Sequence, residues 1–139
     1  MTIIAEATAT STAAPETFFA IWGDMASWPE WNQDTEWVKL DGPFVQGATG
    51  TLKPKGGPKV GFVVEKLTDT EFVDVSKLLG ARLVFAHEVT TGEVTTVTVR
   101  VSMEGPLRWF WNKIMGADLA ESVAPDLAAL IKVAEGVRA

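Results

Sequence analysis

Apolar and polar positions change period twice along the 139-residue chain. Residues 3–12 are β-branched and small, as in a strand, and stop where Ala14-Pro15-Glu16 offers a helix start with proline in its first turn. Phe18, Ile21 and Trp22 then recur at helical spacing. Asp24 can cap a second short helix, which Trp28-Pro29 ends because proline pushes its predecessor out of the helical region. From Thr35 onward the segments 35–40, 48–53, 60–67, 71–76, 81–89 and 93–104 alternate or are β-branched. Gly42-Pro43, Lys55-Gly56-Gly57-Pro58, Thr68-Asp69, Gly80 and Gly92 punctuate them. After Gly105-Pro106 helical spacing returns to the end of the sequence. The pattern predicts one α+β domain over 1–139: strand, two short helices, six strands, long helix.

Two turns set the expected register. A three-residue hairpin loop commonly ends on a left-handed glycine, and Leu78-Leu79-Gly80 and Thr90-Thr91-Gly92 have that form. The second loop pairs Val89 with Glu93, hence His87 with Thr95, Phe85 with Val97 and Leu83 with Val99, placing the apolar residues on one face. The second loop also leaves Arg82 opposite Arg100, an unfavourable like-charge pair, whereas the first pairs Val75 with Leu83, Val73 with Phe85 and Glu71 with His87. A slip of one residue in this hairpin turns Phe72, Asp74 and Ser76 inward instead.

A sheet with one apolar face needs a cover, and the terminal helix is the only element long enough. Its first turns hold Leu107, Trp109, Phe110, Trp111, Ile114 and Met115. At 100° per residue Leu107, Phe110, Trp111, Ile114 and Met115 share a side, whereas Leu119, Val123, Leu127, Leu130 and Ala134 share roughly the opposite one. A kink, break or change of environment is therefore expected between Met115 and Leu119, with a second disturbance at Pro125. Trp109 falls on the polar side, where it could dock a partner or a second copy of the chain.

Composition narrows the function. The formal net charge of −6 and four scattered arginines argue against a nucleic-acid surface. No apolar stretch reaches the ~18 residues of a membrane span, and no signal-peptide pattern opens the sequence, so a cytoplasmic location is expected. With one histidine and no cysteine, no metal site is expected, and neither a catalytic elbow nor a phosphate loop is present.

The order of elements, with Trp28-Pro29-Glu30-Trp31-Asn32, Asp41-Gly42-Pro43-Phe44 followed by Gly47 and Gly50, Phe85-Ala86-His87-Glu88 and Gly105-Pro106-Leu107, resembles the polyketide cyclase/dehydrase-like family. That family belongs to the START-like, Bet v 1-like helix-grip superfamily. The resemblance implies a curved seven-stranded antiparallel sheet wrapped around a long C-terminal helix, with a cavity for an apolar or aromatic small molecule. It implies no cofactor and supplies no universal catalytic motif, because the superfamily includes carriers, cyclases, aromatases, lipid binders and co-chaperone-like modules. This chain has no tyrosine, so a phenolic donor in the pocket is excluded.

His87 stands in an otherwise apolar inward row and is the candidate acid/base, with Glu71 orienting it, or Asp74 in the slipped register. Thr95 would complete a polar cluster in an apolar cavity. The bland alternative is a core histidine satisfied by Thr95 and a carboxylate. The expected lining is Phe62, Leu83, Phe85, His87, Val97, Val99 and Met103 from the sheet and Leu119, Val123 and Leu127 from the helix. Trp31 and Trp37 stand near the rim, where an indole can meet both ligand and water. Three roles are compatible with these residues: a ligand carrier, a cyclase, dehydratase or isomerase using His87, and a co-chaperone-like partner-binding module.

Overall fold

The computed structural model describes residues 2–136. Its elements are β1 (Thr2–Ser11), α1 (Pro15–Gly23), a 3-10 helix (Met25–Glu30), β2 (Thr35–Leu40), β3 (Thr49–Pro54), β4 (Val60–Leu67), β5 (Glu71–Leu78), β6 (Ala81–Thr90), β7 (Thr95–Glu104) and α2 (Arg108–Ala134). The seven strands form one antiparallel sheet in the order β1-β7-β6-β5-β4-β3-β2. Register shifts between Ile3 and Ala5, Thr35 and Trp37, and Val64 and Lys66 bend it. This is the curved sheet and gripped helix of the helix-grip fold. The second short helix is tighter than expected. It is 3-10 rather than α and runs through Pro29 to Glu30, and Asp24 holds it by its backbone carbonyl, which accepts from Ser27 N and Ser27 Oγ.

Both hairpins differ from the expected register, and each for a local reason. Leu78 pairs with Ala81, so Leu79-Gly80 is a two-residue turn with Gly80 at φ +71°, and β5 slides by one residue. The slipped alternative is the one adopted: Phe72, Asp74 and Ser76 face inward, opposite His87, Phe85 and Leu83. The slide buries Phe72 completely while Val75 stays buried on the outer face between Val63 and Val84. It also turns Glu71 outward, opposite Glu88, where its carboxylate accepts from Lys66 Nζ at 3.0 Å.

In the second hairpin Gly92 is not left-handed, so the three-residue loop does not form. The connection is longer and the pairing moves by four residues: His87 lies opposite Val99, Val89 opposite Val97 and Leu83 opposite Met103. An even shift keeps every side chain on its face while changing its neighbours. Arg82 now faces Glu104 and also reaches Glu65, and Arg100 reaches Glu6, so the like-charge pair is avoided.

Helix α2 is continuous from Arg108 to Ala134, through both Gly116 and the exposed Pro125, and no break occurs. Its inward residues are Trp111, Met115, Leu119, Val123 and Leu127, an i, i+4 series that rotates by ~40° per step and so crosses the sheet obliquely. Phe110 and Ile114, expected to share a side with Trp111 and Met115, face solvent while those two turn toward the sheet. The far end of α2 is fastened by Glu135, whose carboxylate accepts from Ser11 Oγ at 2.7 Å and Thr12 N at 3.2 Å.

Candidate functional site

The hydrophobic interior divides into two clusters. One gathers Phe18, Trp22, Phe62, Val64, Phe72, Val89, Val97, Leu127 and Leu130, among others; the second gathers Ala81, Leu83, Val101, Met103 and Val123. Asp74 and His87 belong to neither cluster. Asp74 stands in the row Val64, Asp74, Phe85, Val101 and His87 in the next row, Phe72, His87, Val99, so the two polar side chains lie on adjacent rungs between the clusters. Period-2 alternation on β5 and β6 put them there.

His87 is held by aromatic rings on two sides. Phe72 stacks on it with centroids 4.7 Å apart and planes at 13°, and the Trp22 centroid is 4.9 Å away. Its Nδ1 lies 2.8 Å from the Phe72 carbonyl oxygen, which can only accept, so Nδ1 carries the proton and Nε2 is left with a lone pair. Burial pushes its pKa down to about 4, against the smaller opposing effect of that carbonyl. The imidazole is therefore neutral near pH 7.

Asp74 is 4% exposed, and its Oδ1 has no hydrogen-bond partner among the described residues. That oxygen is 3.8 Å from His87 Nδ1, too far for a hydrogen bond. Burial raises the Asp74 pKa to about 7, with a backbone hydrogen bond acting more weakly the other way. Near neutrality the carboxyl can therefore both give and take a proton. A buried, unpaired polar atom typically costs about 1–3 kcal/mol, so such atoms call for an explanation where they occur.

The other expected site residues separate into groups. Phe62, Leu83, Val97, Met103, Val123 and Leu127 are buried, whereas Phe85, Val99 and Leu119 face inward but are only partly covered. Glu71 is on the outer face and cannot orient His87. Thr95 is four rungs from the expected position; it pairs with Ser11 and donates to the Ala13 carbonyl at 2.7 Å. Trp31 is enclosed, with its Nε1 unpartnered among the described residues, and Trp37 on β2 is 39% exposed. The expected triplet Glu71-His87-Thr95 is thus replaced by Asp74, His87 and an aromatic wall.

Sequence reasoning missed that wall. Phe44, from the loop before β3, meets Phe72 edge-on at 5.1 Å, and Phe19 meets Trp22 edge-on at 5.2 Å. Phe19, Phe44 and Leu67 line a surface groove of ≈340 Å³ with Pro15, Glu16, Thr68 and Asp69, directly outside the rings that hold His87. The signal was available in the helical spacing of Phe18, Phe19 and Trp22, but placing Phe44 required the tertiary fold. A wider groove of ≈900 Å³ runs between α1, the 3-10 helix and α2, and its lining includes Asp24, Glu30, Gln33 and Lys132. It is the larger but wetter of the two. Among the described residues, no group of three or more His, Cys, Asp or Glu is placed to hold a metal ion, and no helix is long and apolar enough to cross a membrane.

No family model matches the sequence, and no curated protein matches it. Solved structures do match in fold. A hypothetical protein from Helicobacter pylori superposes with a TM-score of 0.73 at 12% identity, over 94% of this chain and 86% of that one. The di-domain ARO/CYC protein StfQ from the steffimycin biosynthetic pathway gives 0.74 at 13% identity. That match takes in 97% of this chain and 52% of StfQ, so the chain spans about half of that protein. A START superfamily protein from Mycobacterium smegmatis gives 0.65 at 16% identity, over 96% and 97% of the two chains. The fold is thus shared with START-like and polyketide cyclase-like proteins.

Proposed function

We propose that this protein binds an apolar or aromatic small molecule bearing one oxygen function, between the sheet and α2, with that oxygen at Asp74 and His87. The observation that carries the proposal is the unpartnered Asp74 Oδ1, 3.8 Å from His87 Nδ1, between two apolar clusters. A ligand hydroxyl satisfies the carboxyl in either protonation state and a ligand carbonyl satisfies its protonated form, while Phe85, Val99 and Leu119 receive the apolar body. Entry from the groove outside Phe19, Phe44 and Leu67 would require the Phe44–Phe72 contact to open. The likeness to StfQ favours an aromatic or polyketide-like ligand.

The test uses 2-naphthol and naphthalene, matched except for one hydroxyl. The 2-naphthol should bind at least about 10-fold more tightly, and Asp74→Leu should abolish the difference, since a hydrogen bond to a charged group is worth about 1.5–3 kcal/mol. Equal affinities in the wild-type protein would overturn the proposal. Native mass spectrometry of protein purified from its own host should retain the natural ligand.

A second function, cyclase, dehydratase or isomerase, draws on the protonation states. A carboxyl with a pKa near 7 beside a neutral imidazole with a free Nε2 suits proton removal next to a carbonyl and its return elsewhere. Under this function Asp74→Asn and His87→Gln retain affinity for the host ligand and lose its turnover. Retained turnover in both variants would leave the carrier role alone.

A further inference from the structure

The tip of the β5–β6 hairpin and the first turns of α2 form a platform well away from the candidate site. Leu79 is 80% exposed, Trp109 66%, Ile114 58% and Phe110 42%. The platform is built rather than loose: Leu107 N donates to the Gly80 carbonyl at 2.9 Å, and Trp111 Nε1 donates to the Leu79 carbonyl at 2.8 Å. At Gly80 a Cβ would lie 2.6 Å from Leu107, so hairpin and helix meet as closely as glycine permits. Keeping four large apolar side chains in water has no packing benefit for this chain.

The charges around them identify the occupant. On a chain of net charge −6, residues 77–82 and 108–115 contain Lys77, Arg82, Arg108 and Lys113 and no acid. Arg82 is neutralised by Glu65 and Glu104, which leaves Lys77, Arg108 and Lys113, all exposed, without a salt bridge among the described residues. The side chains project and line neither of the two grooves, as suits a deformable surface more than a shape-matched one. A second copy fits poorly, because a twofold contact would set the same cations against each other. Four apolar side chains also fall far short of the 20–30 residues, about 800 Å² per partner, of a stable interface. We infer that this platform docks the protein on an anionic lipid bilayer, with Leu79, Trp109, Phe110 and Ile114 entering the headgroup boundary and Lys77, Arg108 and Lys113 facing the lipid phosphates.

Co-sedimentation of the full chain with phosphatidylcholine vesicles, with and without phosphatidylglycerol, tests the inference. Binding should appear on the mixed vesicles and weaken with salt. Leu79→Ser with Trp109→Ser should reduce it about 100-fold or more, from the apolar area withdrawn from water. Arg108→Gln with Lys113→Gln should reduce it about 30-fold, because each basic residue contributes about a fivefold factor at such a surface. Unchanged circular dichroism and Tm establish that the variants are folded. Failure to bind mixed vesicles, equal binding to both vesicle types, or variants that bind like wild type would overturn the inference. So would variants that convert a dimer to a monomer while vesicle binding persists, which would assign the patch to a second copy.

Discussion

The molecule contains two aromatic groups with similar chemistry and opposite exposure. Trp22 and Phe72 hold His87 on two sides, backed by Phe18 and Phe44, and Phe18, Trp22 and Phe72 are almost wholly buried. Trp109 and Phe110 contact each other edge-on, yet both face solvent. The first group sits where α1, β5 and β6 converge. The second belongs to the start of α2, where only Trp111 and Met115 turn toward the sheet. Aromatic content alone therefore does not mark a core: enclosure depends on which elements lie opposite, and an enclosed ring set can shape a polar site as well as exclude water.

Deleting one ring from each group should have the largest and most unequal effects. Phe72→Ala should cost about 3–5 kcal/mol in urea unfolding, through the lost burial and the cavity it leaves. Phe110→Ala should stay within about 0.5 kcal/mol, as for an exposed position. Similar losses at both sites would mean that the helix start is covered in solution.

Next in size is Asp74→Asn. The native carboxyl keeps its proton up to about pH 7, whereas unfolded it loses it near 3.8. Its stabilising contribution is therefore complete below pH 3.8 and lost as pH rises toward 7. Above pH 7 the variant should be the more stable protein, by about 2 kcal/mol, because an unpaired buried carboxylate costs more than a neutral amide in the same place. A less stable variant at pH 8 would show that the carboxylate is better solvated than the fold suggests.

His87 gives the opposite linkage. It stays neutral in the fold down to about pH 4 but ionises near 6.5 when unfolded, so its contribution is present above 6.5 and lost as pH falls to 4. Between pH 4 and 6.5 the two effects cancel in the wild type. Relative to wild type, His87→Gln should lose stability as pH rises across this range and Asp74→Asn should gain it. Asp126, also raised to about 7 by burial and then by its neighbour Asp34, adds the same background to all three proteins. Parallel curves would sink the assignment of either group. The smallest expected effect is Trp109→Ser, within about 0.5 kcal/mol of wild type by Tm, because its indole already faces water.

Much of the architecture was legible because periodicity survives local error. The order of elements, the proline-started α1 and the helix cover follow from spacing and punctuation. Register was harder to read, because it depends on backbone angles: Gly80 is left-handed in a two-residue turn, and Gly92 is not left-handed. An even shift in one hairpin displaced Thr95 along the strand. A shift of one in the other exchanged Glu71 for Asp74. The apolar pattern of β5 could not decide, since Val73 and Val75 suit a covered outer face as well as a core, and only the burial of Phe72 separates the two arrangements. The aromatic wall was hidden more deeply, because Phe44 and Phe72 are far apart in sequence. On α2 the apparent reversal of the apolar stripe was an oblique crossing, which residue angles around a straight helix represent poorly.

The pairing of Thr2 with Met103 has a consequence for how the chain is made. At roughly 5–20 residues per second, synthesis leaves β1 waiting about 5–20 s for the strand beside it. α2, which covers both apolar clusters, emerges later still. The inner face of the growing sheet is thus open to water and to other nascent chains until the final helix leaves the ribosome. For this protein the hazardous interval comes before the fold exists, and molecules that shield nascent apolar surface should improve its yield more than those that rescue the finished domain.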